Sequence, residues 1–155
     1  MISNTNLRRL FAAYTLILIY GMIIYHRDLD FTWIVKGGWD YLVQQMESTT
    51  NLIPFATINR YLSVLDRPSG LGLFLYNVMG NVVIFIPFGY LMPLAAKRLN
   101  TLMWVVFLGL LMILCIEGLQ YLSMSGSLDV DDVLLNGVGV LVGFWLSPLS
   151  NKRWF

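Results

Sequence analysis

Long apolar runs alternate with short polar stretches along most of this chain. The runs cover residues 10–25, 71–96, 101–122 and 130–149, and each is close to the roughly 20 residues that a helix needs to cross a bilayer. The second run contains Pro87 and Pro93, which predict a tilted or kinked helix. The pattern predicts an all-α integral membrane protein with four transmembrane helices, forming one domain over residues 1–155.

The first run has a second interpretation. Arg8 and Arg9 precede it, and a basic start is also typical of a cleaved signal peptide. No small-x-small cleavage site follows the run, and Tyr25, His26 and Arg27 suit a membrane interface better. We therefore favour a retained helix, with His26 as an interfacial anchor rather than a catalytic base.

Charged residues are segregated by position. The basic residues that flank the runs fall on one side of the predicted membrane, where there is no Asp or Glu; they are Arg8, Arg9, Lys97, Arg98, Lys152 and Arg153. All acidic residues fall on the other side or in the adjoining part of a run. Because basic residues in short loops mark the cytoplasm, we predict that both termini are cytoplasmic.

The segment 26–70 is then a long extracytoplasmic first loop. Trp33 and Trp39 make it too aromatic for a solvated linker, and Ile58, Tyr61 and Leu62 recur at helical spacing. This pattern predicts short interfacial helices that lie in the headgroup region. A loop packed over the ends of the helix bundle explains the same pattern equally well.

Composition supports the membrane assignment and excludes several other classes. Of 155 residues, 57% are hydrophobic and only 12% are charged, more apolar surface than a small soluble domain can bury. Cys115 is the only cysteine, so there is no intrachain disulfide, and its apolar surroundings predict an inert thiol. No basic patch with interleaved aromatic residues suggests a nucleic-acid partner.

Polar residues inside the runs gather towards the predicted outer leaflet. Asn77 and Asn81 share one helix face, as do Glu117 and Gln120 on the next helix, because three- or four-residue spacings are neighbours on a helix. On the last helix, Asp129, Asp132, Asn136, Gly139 and Gly143 form one stripe, and Gly139-x-x-x-Gly143 predicts a small-residue groove. The predicted ligand-binding residues are Asn77, Asn81, Glu117, Gln120, Asp129, Asp132 and Asn136.

Glu117 is the residue that most needs an explanation, since a charge in hydrocarbon is costly and marks function. It is protonated, it binds a divalent cation such as Mg together with Asp129 and Asp132, or a loop residue such as Arg60 or Arg67 reaches it. For an enzyme, Glu117 and Asp132 are the candidate catalytic residues. The structural alternative is that Asp129 caps a helix, Asp131 stabilises its dipole, and the amides bridge helices.

Five ordered motifs resemble the VanZ-like family of small bacterial membrane proteins over about two-thirds of the chain. They are Asn51-Leu52-Ile53-Pro54-Phe55, Asn77-x-x-Gly80-Asn81, Phe85-x-Pro87-Phe88-Gly89, Glu117-x-x-Gln120, and Asp129-x-Asp131-Asp132-x-x-x-Asn136-x-x-Gly139. The resemblance implies a multi-pass protein of the bacterial cytoplasmic membrane. The founding member is associated with reduced susceptibility to teicoplanin and related lipid-bearing glycopeptides. Members commonly carry Gly-Arg before the acidic cluster, where this chain has Ser125-Gly126.

The leading functional hypothesis is an outer-leaflet polar pocket that engages an amphiphile. The lipid bilayer is the expected environment, and the expected ligand is a lipid-linked cell-wall intermediate or a lipidated glycopeptide. The alternative is an intramembrane enzyme acting on a lipid or polyprenyl-phosphate headgroup, or a structural or transport subunit of a membrane complex. The residues alone do not decide whether the chain is an enzyme.

Overall fold

The structure, a computed structural model, describes residues 3–24 and 29–148. Apart from one isolated bridge between Asn51 and Asp129, these residues form helices, turns and loops. The α-helices are α1 (Asn4–Ile19), α2 (Trp33–Lys36), α3 (Gly38–Met46), α4 (Ala56–Leu62), α5 (Gly70–Phe74), α6 (Gly80–Ala95), α7 (Leu102–Leu122) and α8 (Val130–Leu146). A π-helical turn, π1 (Tyr20–Ile24), extends α1; a second, π2 (Leu75–Met79), joins α5 to α6; and a 3-10 turn covers Glu47–Thr49.

Two of the helices are long and apolar enough to cross a membrane. The continuous helix Gly70–Ala95 has 26 residues and Leu102–Leu122 has 21, lengths of about 39 and 32 Å against a hydrocarbon core of about 30 Å. They match the predicted runs 71–96 and 101–122 to within one residue. The helix Gly80–Ala95 continues through Pro87 and Pro93.

The first helix begins earlier than the apolar run predicts. Ser3 caps α1 by accepting a hydrogen bond from the Asn6 amide at 3.2 Å, so the helix starts at Asn4 rather than at residue 10. Arg8 therefore lies inside α1, where its Nε donates to the Ala95 carbonyl at the end of α6 at 3.3 Å. The far end of the predicted run, at residue 25, and His26 lie outside the described residues.

The bundle is built on close backbone contact between α6 and α8. A Cβ added to Gly89, Gly139 or Gly143 would lie 2.0, 2.1 or 2.0 Å from the carbonyl oxygen of Val140, Val82 or Ile86 respectively. The pairs 82–139 and 86–143 advance together, so the two helices run parallel. The predicted groove at Gly139 and Gly143 is confirmed, because only glycine permits this approach.

The other two long helices pack on this pair. The rings of Phe11 in α1 and Phe88 in α6 lie 5.4 Å apart, and the Tyr14 hydroxyl donates to the Ile84 carbonyl. On α7, Gly109 faces the side chain of Val140. The bundle therefore has a continuous apolar core across all four long helices.

Large apolar side chains also cover the outside of these four helices. Such a surface is expected against lipid and is unusual on a small soluble protein. Exposed examples from each helix are Leu16 and Ile17 in α1, Val83 in α6, Leu111 and Leu114 in α7, and Val138 and Trp145 in α8.

The segment 29–69 packs over one end of the bundle, which we call the loop end. The Trp33 indole N–H donates to the Leu122 carbonyl at 2.7 Å, the Asp30 amide donates to the Ser123 carbonyl at 2.8 Å, and Leu42 and Met46 are buried. The segment contains the short helices α2, α3 and α4, and it is anchored on the bundle rather than free of it. Whether it also contacts headgroups stays a prediction.

Candidate functional site

Asp131, at the start of α8, holds the loop segment in place. Its Oδ1 accepts from the Phe55 amide at 2.5 Å, and its Oδ2 accepts from the amides of Thr57 at 2.8 Å and Ile58 at 3.1 Å. The first amides of a helix have no partner within it, and those of α4 find theirs on this fully buried carboxylate. From its position in the sequence, Asp131 was predicted only to stabilise the helix dipole. Its contact with a distant segment of the same chain was missed.

Asp129 is engaged in a similar way. Its Oδ1 accepts from the Asp131 amide at 2.8 Å and from Asn51 Nδ2 at 3.0 Å, and its Oδ2 accepts from the Thr57 hydroxyl at 2.6 Å. The predicted helix cap is confirmed. Both oxygens of this carboxylate serve the fold.

Asn51 completes the attachment of the loop. Its amide donates to the Leu128 carbonyl at 2.8 Å, its carbonyl accepts from the Val130 amide at 3.0 Å, and its Oδ1 accepts from the Ile53 amide at 3.0 Å. Neither Asn51 nor Thr57 was a predicted site residue. The signal for Asn51 was its place at the head of the first family motif. We call the contacts of segment 51–58 with Asp129 and Asp131 the loop clamp.

A polar cleft opens at the loop end between π1, π2, the start of α6 and α8. Asn77, Asn81 and Asp132, three of the predicted ligand-binding residues, lie in its wall, and Asn81 Nδ2 donates to Asp132 Oδ1 at 2.5 Å. The cleft has a volume of about 430 Å³, within the range of ligand sites. Its lining residues are Gly21, Met22, Leu75, Tyr76, Asn77, Gly80, Asn81, Ile84 and Asp132.

Two π-helical turns border this cleft. Gly21 and Met22 belong to π1, and Tyr76 and Asn77 belong to π2. A π-helical turn inserts extra backbone and is frequent at functional sites. The hydrophobic periodicity of the sequence does not predict either π-helical turn.

Glu117 and Gln120 are buried in α7 and are not among the described residues that line the cleft. Gln120 Nε2 donates to the Met22 carbonyl at 2.7 Å, which ties α7 to π1. Glu117 is 2% exposed. Gly109 of α7 contacts Val140 of α8. Glu117 and Asp132 each lie eight residues from that contact in the direction of the loop end. At 1.5 Å of rise per residue, both therefore lie at the same depth in the bundle, about 12 Å from the contact.

Asn136 lies one helical turn deeper than Asp132 on the same face of α8. It is fully buried, and neither of its side-chain amide atoms has a hydrogen-bond partner within the described part of the chain. Because Cβ atoms tilt towards the N-terminus of a helix, its side chain leans towards the loop end. A buried amide left in this way is costly unless something polar binds it.

Within residues 3–24 and 29–148, no three Asp, Glu, His or Cys side chains are grouped as cation ligands. The loop clamp uses both oxygens of Asp129 as hydrogen-bond acceptors, and the predicted cation set of Glu117, Asp129 and Asp132 stays a prediction in which a cation would compete with these bonds.

Tyr61 of α4 lies close to the same acidic residues. Its partial burial, followed by the negative charge of Asp132, raises the pKa of its hydroxyl above the ordinary value of 10.0, while neighbouring Arg60 acts in the opposite direction. The phenol therefore stays protonated at neutral pH. Its phenol therefore lies within electrostatic range of Asp132 and Asp129.

Comparisons with known proteins agree with the motifs. The model of the VanZ/LLP1 family matches residues 11–151. "Protein VanZ" of Enterococcus faecium is 32% identical over 125 residues, which cover 78% of this chain and 68% of that protein. No solved structure matches. With a match that extends from α1 past the end of α8, the chain belongs to the VanZ/LLP1 family.

Proposed function

We propose that this chain is a multi-pass protein of the bacterial cytoplasmic membrane, in which the polar cleft at the loop end engages an amphiphile and lowers susceptibility to teicoplanin. The amphiphile is a lipid-linked cell-wall intermediate or a lipidated glycopeptide. Family membership supports the link to glycopeptides. The observation that carries the proposal is a cleft with polar walls, Asn77, Asn81 and Asp132, set among helices whose outer faces are apolar.

The same proposal includes four spans with both termini in the cytoplasm. Exposed apolar side chains on α1 and α8 as well as on the two longest helices support four spans. Arg8, Lys97 and Arg98 lie at the end of the bundle opposite Asp129, Asp131 and Asp132, as the positive-inside rule requires. The loop end then faces outward, where a cell-wall precursor or an antibiotic arrives.

Cysteine labelling tests this topology. In a Cys115→Ser background, an impermeant maleimide should label Asp66→Cys and Ser127→Cys in intact cells, and Ser3→Cys and Lys97→Cys only after permeabilisation. Labelling of Ser127→Cys and Lys97→Cys from the same side would contradict four spans.

Substitution of the cleft tests the function. Glu117→Gln and Asp132→Asn, expressed in a teicoplanin-susceptible host, should return the minimum inhibitory concentration to that of cells with an empty vector. Protein abundance in the membrane should stay unchanged. The matched control is Asp66→Asn, which removes an exposed carboxylate from the loop and should retain protection. Full protection by Asp132→Asn would contradict a role for the cleft, and full protection by Glu117→Gln would contradict a role for Glu117.

The enzyme alternative rests on one observation, the equal depth of Glu117 and Asp132 in adjacent helices. Here Glu117 acts as acid or base on a polyprenyl-phosphate or phospholipid headgroup. Purified protein should then release product from such a lipid, and Glu117→Gln should abolish the release. Absence of turnover by the wild-type protein leaves binding as the function.

A further inference from the structure

An apolar groove runs along the outside of the bundle between α1 and α7, with α6 as its floor. Its lining includes Phe11 of α1, Phe88 and Met92 of α6, and Leu108, Met112 and Cys115 of α7. Its volume is about 460 Å³, within the range of ligand sites. Phe88 and Met92 are buried at its base and Cys115 is exposed, so the groove is open to the surroundings of the bundle. We call it the tail groove.

The length of the tail groove matches one leaflet of a bilayer. Ala96 and Leu99, in the turn between α6 and α7, line one end of it. Cys115 lines the other end and lies 13 residues beyond Leu102, the first residue of α7, which is about 20 Å along the helix. One leaflet supplies half of a hydrocarbon core of about 30 Å. The groove therefore extends over about the depth of one layer of acyl chains.

The lining suits an acyl chain better than another transmembrane helix. Helices that pack against each other in membranes use small residues where their backbones meet, as Gly139 and Gly143 do on α8. The floor of the tail groove is instead formed by the large side chains of Phe88 and Met92. Met92 and Met112 have unbranched thioethers, which adapt to an irregular shape. A narrow and flexible occupant therefore fits this surface.

Basic residues surround one end of the tail groove, which we call the basic end. Lys97 and Arg98 are exposed and lie in the turn that lines this end. Arg8 reaches the same turn through its hydrogen bond with the last residue of α6. The sequence has no Asp or Glu at residues 1–27 or 67–116, so the segments that form the basic end contain no acidic side chain. A negatively charged group complements this end of the groove.

We propose that the tail groove binds an acyl chain of an anionic phospholipid from the leaflet at the basic end, and that Lys97 and Arg98 bind its headgroup. Basic pockets between transmembrane helices bind anionic lipid headgroups, and hydrogen bonds from Lys and Arg to phosphate are charge-assisted. The inference goes beyond the proposed function. The tail groove lies at the opposite end of the bundle from the polar cleft, and none of the described lining residues is common to both.

Methionine methyl groups report on this site in the wild-type chain. The full chain, ¹³C-labelled at its methionine methyls in neutral maltoside micelles, is titrated with phosphatidylglycerol or phosphatidylcholine carrying the same nitroxide midway along one acyl chain. Phosphatidylglycerol should broaden the signals of Met92 and Met112 saturably, with an apparent affinity at least about tenfold above that of phosphatidylcholine. The internal control is Met103, which is exposed in α7 and lines a different surface. Its signal should respond equally to the two lipids.

Two results would overturn the inference. Broadening of Met92 and Met112 no stronger than that of Met103 would show that the groove holds no acyl chain, and equal affinity for the two lipids would show that the basic end does not select an anion.

Charge variants locate the headgroup. Lys97→Gln/Arg98→Gln should remove the preference for phosphatidylglycerol. The matched control Lys36→Gln/Arg60→Gln removes two exposed charges from the loop segment and should keep the preference; its loss there too would assign the preference to net charge. The comparison of lipids on the wild-type chain does not depend on any variant folding. Either outcome leaves the proposed function of the polar cleft to its own tests, because those tests measure protection.

Discussion

Replacement of Asp131 by asparagine should detach the loop from the bundle without unfolding the helices. The carboxylate accepts three backbone amides, of Phe55, Thr57 and Ile58. An asparagine of the same shape keeps one oxygen and puts an NH₂ group in place of the other. Oδ1 can still accept from Phe55, but the new Nδ2 would face the two donors of Thr57 and Ile58.

The magnitude follows from these contacts. A hydrogen bond to a charged acceptor contributes about 1.5–3 kcal/mol, and a buried donor left without a partner costs about 1–3 kcal/mol. Two bonds are lost and the third loses its charge, so the clamp should weaken by about 3–5 kcal/mol, allowing for non-additivity. Since about 1.4 kcal/mol corresponds to a factor of ten, local opening should become about 100- to 4,000-fold more frequent.

Hydrogen exchange in nanodiscs measures this opening directly, because it reports the free energy of local separation from the fold. The amides of Phe55, Thr57 and Ile58 should exchange about 100- to 4,000-fold faster in Asp131→Asn than in the wild type. Amides in the centre of α7 should be unaffected. Asp66→Asn is the control, since Asp66 is an exposed carboxylate of the same segment.

Unchanged exchange at the three amides would refute the clamp, because no other acceptor of that strength is bonded to them. A uniform acceleration across α6, α7 and α8 would refute it differently, by showing that Asp131 stabilises the whole bundle rather than the loop.

Two further predictions concern the helix packing and the acidic residues. Gly139→Ala places a Cβ 2.1 Å from a backbone oxygen and should destabilise the protein by about 2 kcal/mol or more in denaturant titrations, whereas Gly118→Ala, with nothing within 4 Å, should be neutral or slightly stabilising. Asp132→Asn should lower the pKa of Tyr61 towards its ordinary value, because the phenolate no longer faces a negative charge. A pH titration followed by ¹³C NMR of the tyrosine rings measures this pKa. An unchanged pKa would show that Asp132 lies too far from Tyr61 to influence it.

The long helices were predictable because their cause is local. An uninterrupted apolar run defines its own length, and 71–96 and 101–122 differ from the helices by a single residue at most. The groove at Gly139 and Gly143 was predictable for the same reason, since four-residue spacing alone defines a helix face. The early start of α1 was missed because the helix begins with polar residues after its cap, Ser3, and the apolar pattern does not include them.

The loop clamp could not be read from the sequence. Asp131 and Phe55 are 76 residues apart, and an aspartate in the first turn of a helix looks the same whether it stabilises a dipole or binds a distant amide. The contacts of Asp129 were hidden for a related reason. Spacing placed Glu117, Asp129 and Asp132 at similar depths, but it does not record that the oxygens of Asp129 are already bonded.

Three neighbouring aspartates thus have different roles because a helix turns by about 100° per residue. Asp129 caps α8, Asp131 faces the loop, and Asp132 faces α6 and the cleft. Because Asp131 holds α4 on the bundle, a variant at that position would displace the loop without changing a residue that lines the cleft. Loss of protection in Asp131→Asn therefore does not identify a binding residue, whereas loss of protection in Asp132→Asn with intact amide protection at Thr57 points to the cleft.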